Sequence, residues 1–247
     1  MPASGRTPVQ PAAVRVAEVT AERDLLAETP LPLHLLGGPE LGETDDGGRH
    51  PAVQVQLRTM LRRVAVGAAV ARRVEVVEAV RALPGVPGLI VSPVGGTFVV
   101  GGPSWLGLAA VGTPPPGALP IDWMLAALRA WLEARLAAIG VTVEVGRVAG
   151  AWCPGFSDVA VNGRKLAGLG FRATRDWVVM RGVMAVTPMT EDDLRLLQGT
   201  HHLIGLEVER AATTSLAELT GDPTWTAERA MTLLSGADHP SRCPSPR

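Results

Sequence analysis

Apolar and polar positions along the chain switch between two periods. Val53, Val55 and Leu57 alternate with Gln54 and Gln56, the mark of a strand with one face in the core and one in water. Val141, Val143 and Val145 alternate in the same way. Helical spacing dominates residues 121–139, where Trp123, Leu125, Leu128, Trp131, Leu132, Leu136 and Ile139 form one stripe. Asp122, Arg129, Glu133 and Arg135 make its wet side, and Gly140 ends it. Shorter helices are expected over residues 14–28, 74–83, 192–197, 215–219 and 227–234. Thr190, three residues before Asp193, opens the third of these with a near capping box. Runs at residues 64–70, 98–100, 105–111 and 177–186 read as strands, and residues 89–91 as a short apolar run leading into Ser92-Pro93-Val94-Gly95-Gly96. Asn162-Gly163 between a strand at residues 158–161 and another from Arg164 is a strong hairpin signal, because both residues tolerate positive φ.

Strands and helices are mixed without regular alternation, so the expected class is α+β, with a mixed, largely antiparallel sheet flanked by helices. One domain is expected over residues 14–236. The Pro/Ala/Ser-rich residues 1–13 and the Pro/Ser-rich residues 237–247 read as disordered ends, and residues 41–49 as an acidic, glycine-rich loop.

Composition narrows the function classes. The chain has 247 residues, 47% hydrophobic, with no tyrosine, enough to bury a full core. Its net charge is −1 and no basic run is interleaved with aromatics, which argues against a nucleic-acid surface. No apolar run approaches the ~18 residues of a membrane span. The N-terminus lacks the pattern of a signal peptide, and two cysteines, Cys153 and Cys243, make no disulfide framework. The expected location is the cytoplasm.

Candidate chemistry concentrates between Trp152 and Gly168. Lys165 is the only lysine among 23 basic residues, and Cys153 lies twelve residues before it. A desolvated amine can lose its proton and act as a base, which a guanidinium cannot do. Cys153 precedes Pro154-Gly155, a loop whose flexible backbone leaves amides free to face an oxyanion. Such a thiol can attack an activated acyl group; equally, a buried cysteine can be an inert small hydrophobe. Pairing across Asn162-Gly163 sets Ala160 opposite Lys165, and extending that ladder puts Cys153 roughly 23 Å along the strand from Lys165 at ~3.3 Å per residue. The two meet only if the loop leaves the ladder and folds back. His201-His202 has no carboxylate or cysteine at ligand spacing and reads as a surface loop or helix end, so no metal site is expected. Gly95-Gly96 lacks the context of a nucleotide loop and reads by itself as a turn.

Cys153-Pro154-Gly155 followed by Asp158-Val159-Ala160-Val161-Asn162-Gly163-Arg164-Lys165-Leu166-Ala167-Gly168 resembles the lipoate–protein ligase and octanoyltransferase family. Lys165 falls on that family's active-site lysine. Pro93-Val94-Gly95-Gly96 stands where the family has an acyl-pocket loop, and residues 215–219 resemble its C-terminal Ser-Leu-x-Glu-Leu segment. The resemblance implies the catalytic-domain fold shared with biotin–protein ligases. It also implies octanoyl or lipoyl transfer to the lysine of a lipoyl domain, with Cys153 forming the thioester and Lys165 holding the acyl carbonyl and assisting proton transfer. Gly95, Gly96, Gly155, Asp158, Gly168 and Arg172 would bind substrate. Implied partners are lipoyl-domain proteins, namely glycine cleavage H protein or a 2-oxoacid dehydrogenase E2, and acyl carrier protein. No cofactor is needed for transfer. The alternatives are an ATP-dependent ligase, which would use ATP and Mg, and a non-catalytic acyl- or lipoyl-domain binder. Val91 and Ser92 replace the family's arginines beside the pocket loop, and Gly170-Phe171-Arg172 replaces its Gln-Arg pair. Missing countercharge for a phosphate favours the transferase over the ligase.

Overall fold

A computed structural model describes residues 14–16, 53–174 and 177–236. The predicted loop at 41–49 and the disordered ends at 1–13 and 237–247 lie outside these residues. Among the described residues, ten strands form two sheets. The larger has the order β1 (Val14–Val16), β2 (Val53–Thr59), β6 (Trp105–Gly112), β10 (Val178–Ala185), β9 (Arg164–Ala173), β8 (Asp158–Val161) and β7 (Glu144–Val145). Every pairing in it is antiparallel except β1 with β2. The smaller has the order β4 (Leu89–Ser92), β3 (Arg63–Gly67) and β5 (Phe98–Gly101). Helix α1 (Val74–Arg81) makes the crossover between the parallel strands β3 and β4. The expected α+β class, with a largely antiparallel sheet and flanking helices, is the observed one.

The larger sheet is covered on both faces. Val55, Leu57, Leu106, Leu108, Met180 and Met184 on one face pack with α2 (Pro120–Ala137), α4 (Leu216–Thr220) and α5 (Ala227–Ser235). On the other face, Trp105, Trp152, Val183 and Ala185 pack with β3, β5, α1 and α3 (Glu191–His202). Double coverage accounts for β6, where all eight residues are buried. It also corrects the reading of β2 as exposed on one face, since Gln56 and Arg58 are buried as well.

Two further expectations are corrected. Residues 14–16 form a strand rather than the start of a helix, Val14-Arg15-Val16 being β-branched at alternate positions and paired with Val53–Val55, while residues 17–28 of the expected helix lie outside the described residues. The strand expected over 141–145 is only Glu144–Val145, because Val141 instead closes the C-terminus of α2 through its amide and the Leu136 carbonyl (3.0 Å). Elsewhere, local signals hold. Thr190, Ser215 and Thr226 cap α3, α4 and α5 by accepting the amides of Asp193, Glu218 and Arg229. Asn162 and Gly163 both adopt positive φ, 50° and 72°, as the two-residue hairpin requires. Among the described residues, no helix is long and apolar enough to cross a membrane.

Candidate active site

The β8–β9 hairpin carries one irregularity that sets the site. Ala160 pairs with Lys165 but Val159 pairs with Ala167, so Leu166 is the extra residue of a β-bulge. Strict alternation would put Lys165 on the same face as Ala167 and Leu169, in the α2-side core. The bulge sends Leu166 and Ala167 into that core together and turns Lys165 onto the opposite face with Gly168. A Cβ on Gly168 would stand 2.9 Å from Cε and Nζ of Lys165 and 2.9 Å from the Trp152 ring. The missing side chain is the space the lysine occupies.

Beyond Asp158 the chain leaves the ladder and folds back. Asp158 organises the turn: one carboxylate oxygen accepts the amides of Val148 (3.2 Å) and Gly155 (3.1 Å), and the other pairs with Lys165 Nζ at 2.6 Å. Lys165 Nζ also donates to the carbonyl oxygens of Trp152 (2.8 Å) and Cys153 (2.9 Å). Three acceptors match the three N–H bonds of an ammonium. The amine lies 3.9 Å from the centre of a Trp152 ring, which itself stacks edge-on against Trp105. Burial draws the Lys165 amine below the usual lysine value, while Cys153 and Asp158 pull it back up.

Cys153 adopts φ +43°, a left-handed conformation rare for a residue with a side chain. Its sulfur accepts the Thr97 amide at 3.0 Å, and its own amide donates to His201 Nε2 at 2.8 Å. Thr97 closes the loop between β4 and β5. That loop is fixed by Gly67 N–H on the Thr97 carbonyl (2.7 Å) and by Gly95 N–H on the Phe171 carbonyl (3.3 Å). It can lie so close to β9 because residue 170 is glycine: a Cβ there would stand 2.5 Å from the Gly95 oxygen.

A cavity of about 220 Å³ opens between this loop, the Cys153 loop and strands β9 and β10. It is smaller than the ~300–1,000 Å³ pockets of drug-sized ligands, and so suits a slender one. Cys153, Gly95, Gly96, Gly155, Asp158 and Gly168 all line it. Lys165 does not: it lies behind the wall, under Trp152 and beside Gly168. Arg172 is not brought to the cavity either; it sits two residues beyond Gly170 towards the end of β9 and is exposed. Arg181 of β10 is a buried cation on the cavity wall, opposite Gly170.

Sequence reasoning missed Arg181, Thr97 and the role of His201. His201-His202 is a helix end, as expected, closing α3; His202 is exposed, but His201 is fully buried, so only the surface position fails for it. A signal was available. Asp193, Leu196, Leu197, Thr200 and His201 fall at i, i+3, i+4, i+7 and i+8, the spacing of one helix face, and all five are buried.

No protein-family profile matches the chain. It is 30% identical over 98 residues to the octanoyl-[GcvH]:protein N-octanoyltransferase of Geobacillus kaustophilus. That match spans 40% of this chain and 35%, about a third, of the relative. Among solved structures, a lipoate–protein ligase A bound with ATP superposes with a TM-score of 0.53 at 13% identity, over 91% of this chain and 82% of that one. A lipoate protein ligase-like protein of T. acidophilum, with bound lipoic acid, covers 91% of this chain and 86% of its own at 14% identity and a TM-score of 0.48. Over the 98 residues that match, the chain is similar to an octanoyltransferase, and its fold is that of a lipoate–protein ligase catalytic domain.

Proposed function

We propose that this protein transfers an octanoyl or lipoyl group to the lysine amine of a lipoyl domain through a thioester on Cys153. The observation that carries the reading is the convergence of Cys153 and Lys165. A buried ammonium holds the cysteine's own carbonyl, and the cysteine lines a narrow cavity in a strained conformation. In the first step the Cys153 sulfur attacks the donor's acyl carbonyl. A C–S bond forms, and the donor leaves with a proton, as a thiol from acyl carrier protein or as a lysine amine from an acylated lipoyl domain. In the second, the acceptor amine attacks the thioester. A C–N bond forms, the C–S bond breaks and the amine's proton returns to sulfur.

Lys165 needs one rearrangement to take part. All three of its N–H bonds are engaged, so it reaches an acyl carbonyl by exchanging the Cys153 or Trp152 carbonyl for the substrate's. Asp158 keeps it charged while it does so. An ammonium at the acyl oxygen stabilises the negative charge that develops there.

The relative's name makes octanoylated glycine cleavage H protein the first donor to try, with octanoyl-acyl carrier protein as the second. Intact-mass measurement after mixing should show one octanoyl group gained by the wild-type chain and none by Cys153→Ala, followed by its passage to an E2 lipoyl domain. A wild-type chain that is never acylated and passes no acyl group to a lipoyl domain would sink the transferase.

Arg181 favours a second reading, ATP-dependent ligation. A buried guanidinium on the cavity wall offers countercharge to an acyl-adenylate phosphate, which Val91 and Ser92 do not. Lipoylation of a lipoyl domain by Cys153→Ala given lipoate, ATP and Mg would establish the ligase. Binding of octanoate or a lipoyl domain without either reaction would mark a non-catalytic binder.

A further inference from the structure

His201 is tied to both loops that meet at Cys153, and the acyl-transfer steps leave it unused. Its ring is fully buried at the end of α3, packed edge-on against Phe98 with centroids 5.7 Å apart. Nδ1 lies 2.8 Å from the Leu197 carbonyl, which can only accept, so Nδ1 carries the proton and Nε2 the lone pair. That lone pair receives the Cys153 amide at 2.8 Å and the Thr97 hydroxyl at 3.1 Å. Both ring nitrogens are committed, so the imidazole is not free to take the thiol proton. Desolvation by burial keeps the ring neutral, with its pKa lowered to about 4.

The two residues His201 holds are the two ends of one contact, since the Thr97 amide donates to the Cys153 sulfur at 3.0 Å. Cys153 itself stands at φ +43°, a conformation that persists only where the surroundings impose it. Among the described contacts, the one that fixes the Cys153 amide is His201. We propose that His201 is a positioning residue: its neutral imidazole clamps the Cys153 and Thr97 loops together, holding the cysteine left-handed and its sulfur against the Thr97 amide. This inference rests on Cys153 being the reacting group, and it assigns a task to a side chain that never meets the acyl group.

Three measurements on the full chain test it. First, the 15N spectrum of wild-type His201 should show the Nδ1–H tautomer at neutral pH; an Nε2–H tautomer would overturn the clamp without any variant. Second, His201→Phe keeps a buried ring but offers no acceptor, and His201→Gln keeps an acceptor oxygen. The Cys153 amide should exchange with solvent at least ~10-fold faster in the Phe variant, while amides of β9 and β10 stay protected. The Gln variant should recover part of that protection, and it carries this comparison by itself if the Phe variant does not fold. Third, single-turnover acylation of Cys153 should fall about 10–100-fold in the Phe variant with the donor's KM unchanged. A Phe variant with wild-type amide exchange and wild-type acylation would overturn the inference. A wild-type chain that never acylates, but whose Cys153 amide loosens in the Phe variant, would retain the clamp and sink the transferase reading alone.

Discussion

Lys165 Nζ and Asp158 Oδ1 lie 2.6 Å apart at a place where the two side chains are 0% and 2% exposed. The pair joins the two halves of the candidate site. Asp158 holds the backbone of the Cys153 loop through the Val148 and Gly155 amides, and Lys165 holds the same loop through two carbonyl oxygens. One buried ion pair therefore fixes where Cys153 stands.

Removing one partner strands the other. Lys165→Ala leaves a buried carboxylate with no counter-ion, and is expected to destabilise the fold by about 3–5 kcal/mol and to abolish acylation. Combining it with Asp158→Asn should recover a measurable part of that loss without restoring activity. Urea unfolding of the two variants checks both statements; equal stability would mean that the pair is not coupled.

Gly168→Ala attacks the same pair from the side. Its new methyl would need the space that Lys165 Cε, Nζ and the Trp152 ring now fill at 2.9 Å. The expected cost is about 1–3 kcal/mol, with a loss of acyl transfer at least as large as the loss of folded protein. Activity per folded molecule, read beside circular dichroism, separates the two.

Cys153 offers a test of backbone strain. Cys153→Ala and Cys153→Gly should both lose the thioester. The glycine variant should nevertheless be the more stable by about 1 kcal/mol, because only glycine adopts φ near +43° without a Cβ penalty. Thermal unfolding of the two, side by side, decides it; an alanine variant as stable as the glycine one would argue against strain at this position.

His201 makes stability depend on pH. Its folded pKa is about 4 against an ordinary 6.5, lowered by burial and by the neighbouring Lys165 cation. Between those values the unfolded chain binds the proton and the folded chain does not. The contribution is therefore complete above pH 6.5 and is lost as pH falls towards 4, by on the order of 3 kcal/mol. Urea unfolding at pH 7 and pH 4.5 measures the slope, and His201→Phe should remove its share of it.

Much of the frame is written locally. The stripe of Trp123, Leu128, Trp131, Leu132 and Leu136 specifies α2, and Asn162-Gly163 specifies the hairpin together with its Ala160–Lys165 pairing. Thr190, Ser215 and Thr226 mark the starts of three helices. These signals succeed because periodicity, turn chemistry and capping act over a few neighbouring residues. The stretch from Cys153 to Gly168, with a lone lysine in its strand, was likewise visible as the place where chemistry concentrates.

What the sequence determined by itself was thus the class of fold, most of its elements and the segment that carries the candidate site. Tertiary structure decided the rest. The alternation at Gln54 and Gln56 cannot say that a second layer will cover both faces of the sheet. The hairpin signal gives the pairing of Lys165 but not the bulge at Leu166 that turns its side chain towards Cys153. The ladder extrapolation separated Cys153 from Lys165 by several strand residues; the fold instead brings the Cys153 carbonyl to 2.9 Å from Lys165 Nζ. That contact depends on Asp158 gathering amides from Val148 and Gly155 and on a histidine 48 residues downstream. Local pattern encodes which segments form; long-range hydrogen bonds among buried polar groups determine which of them meet.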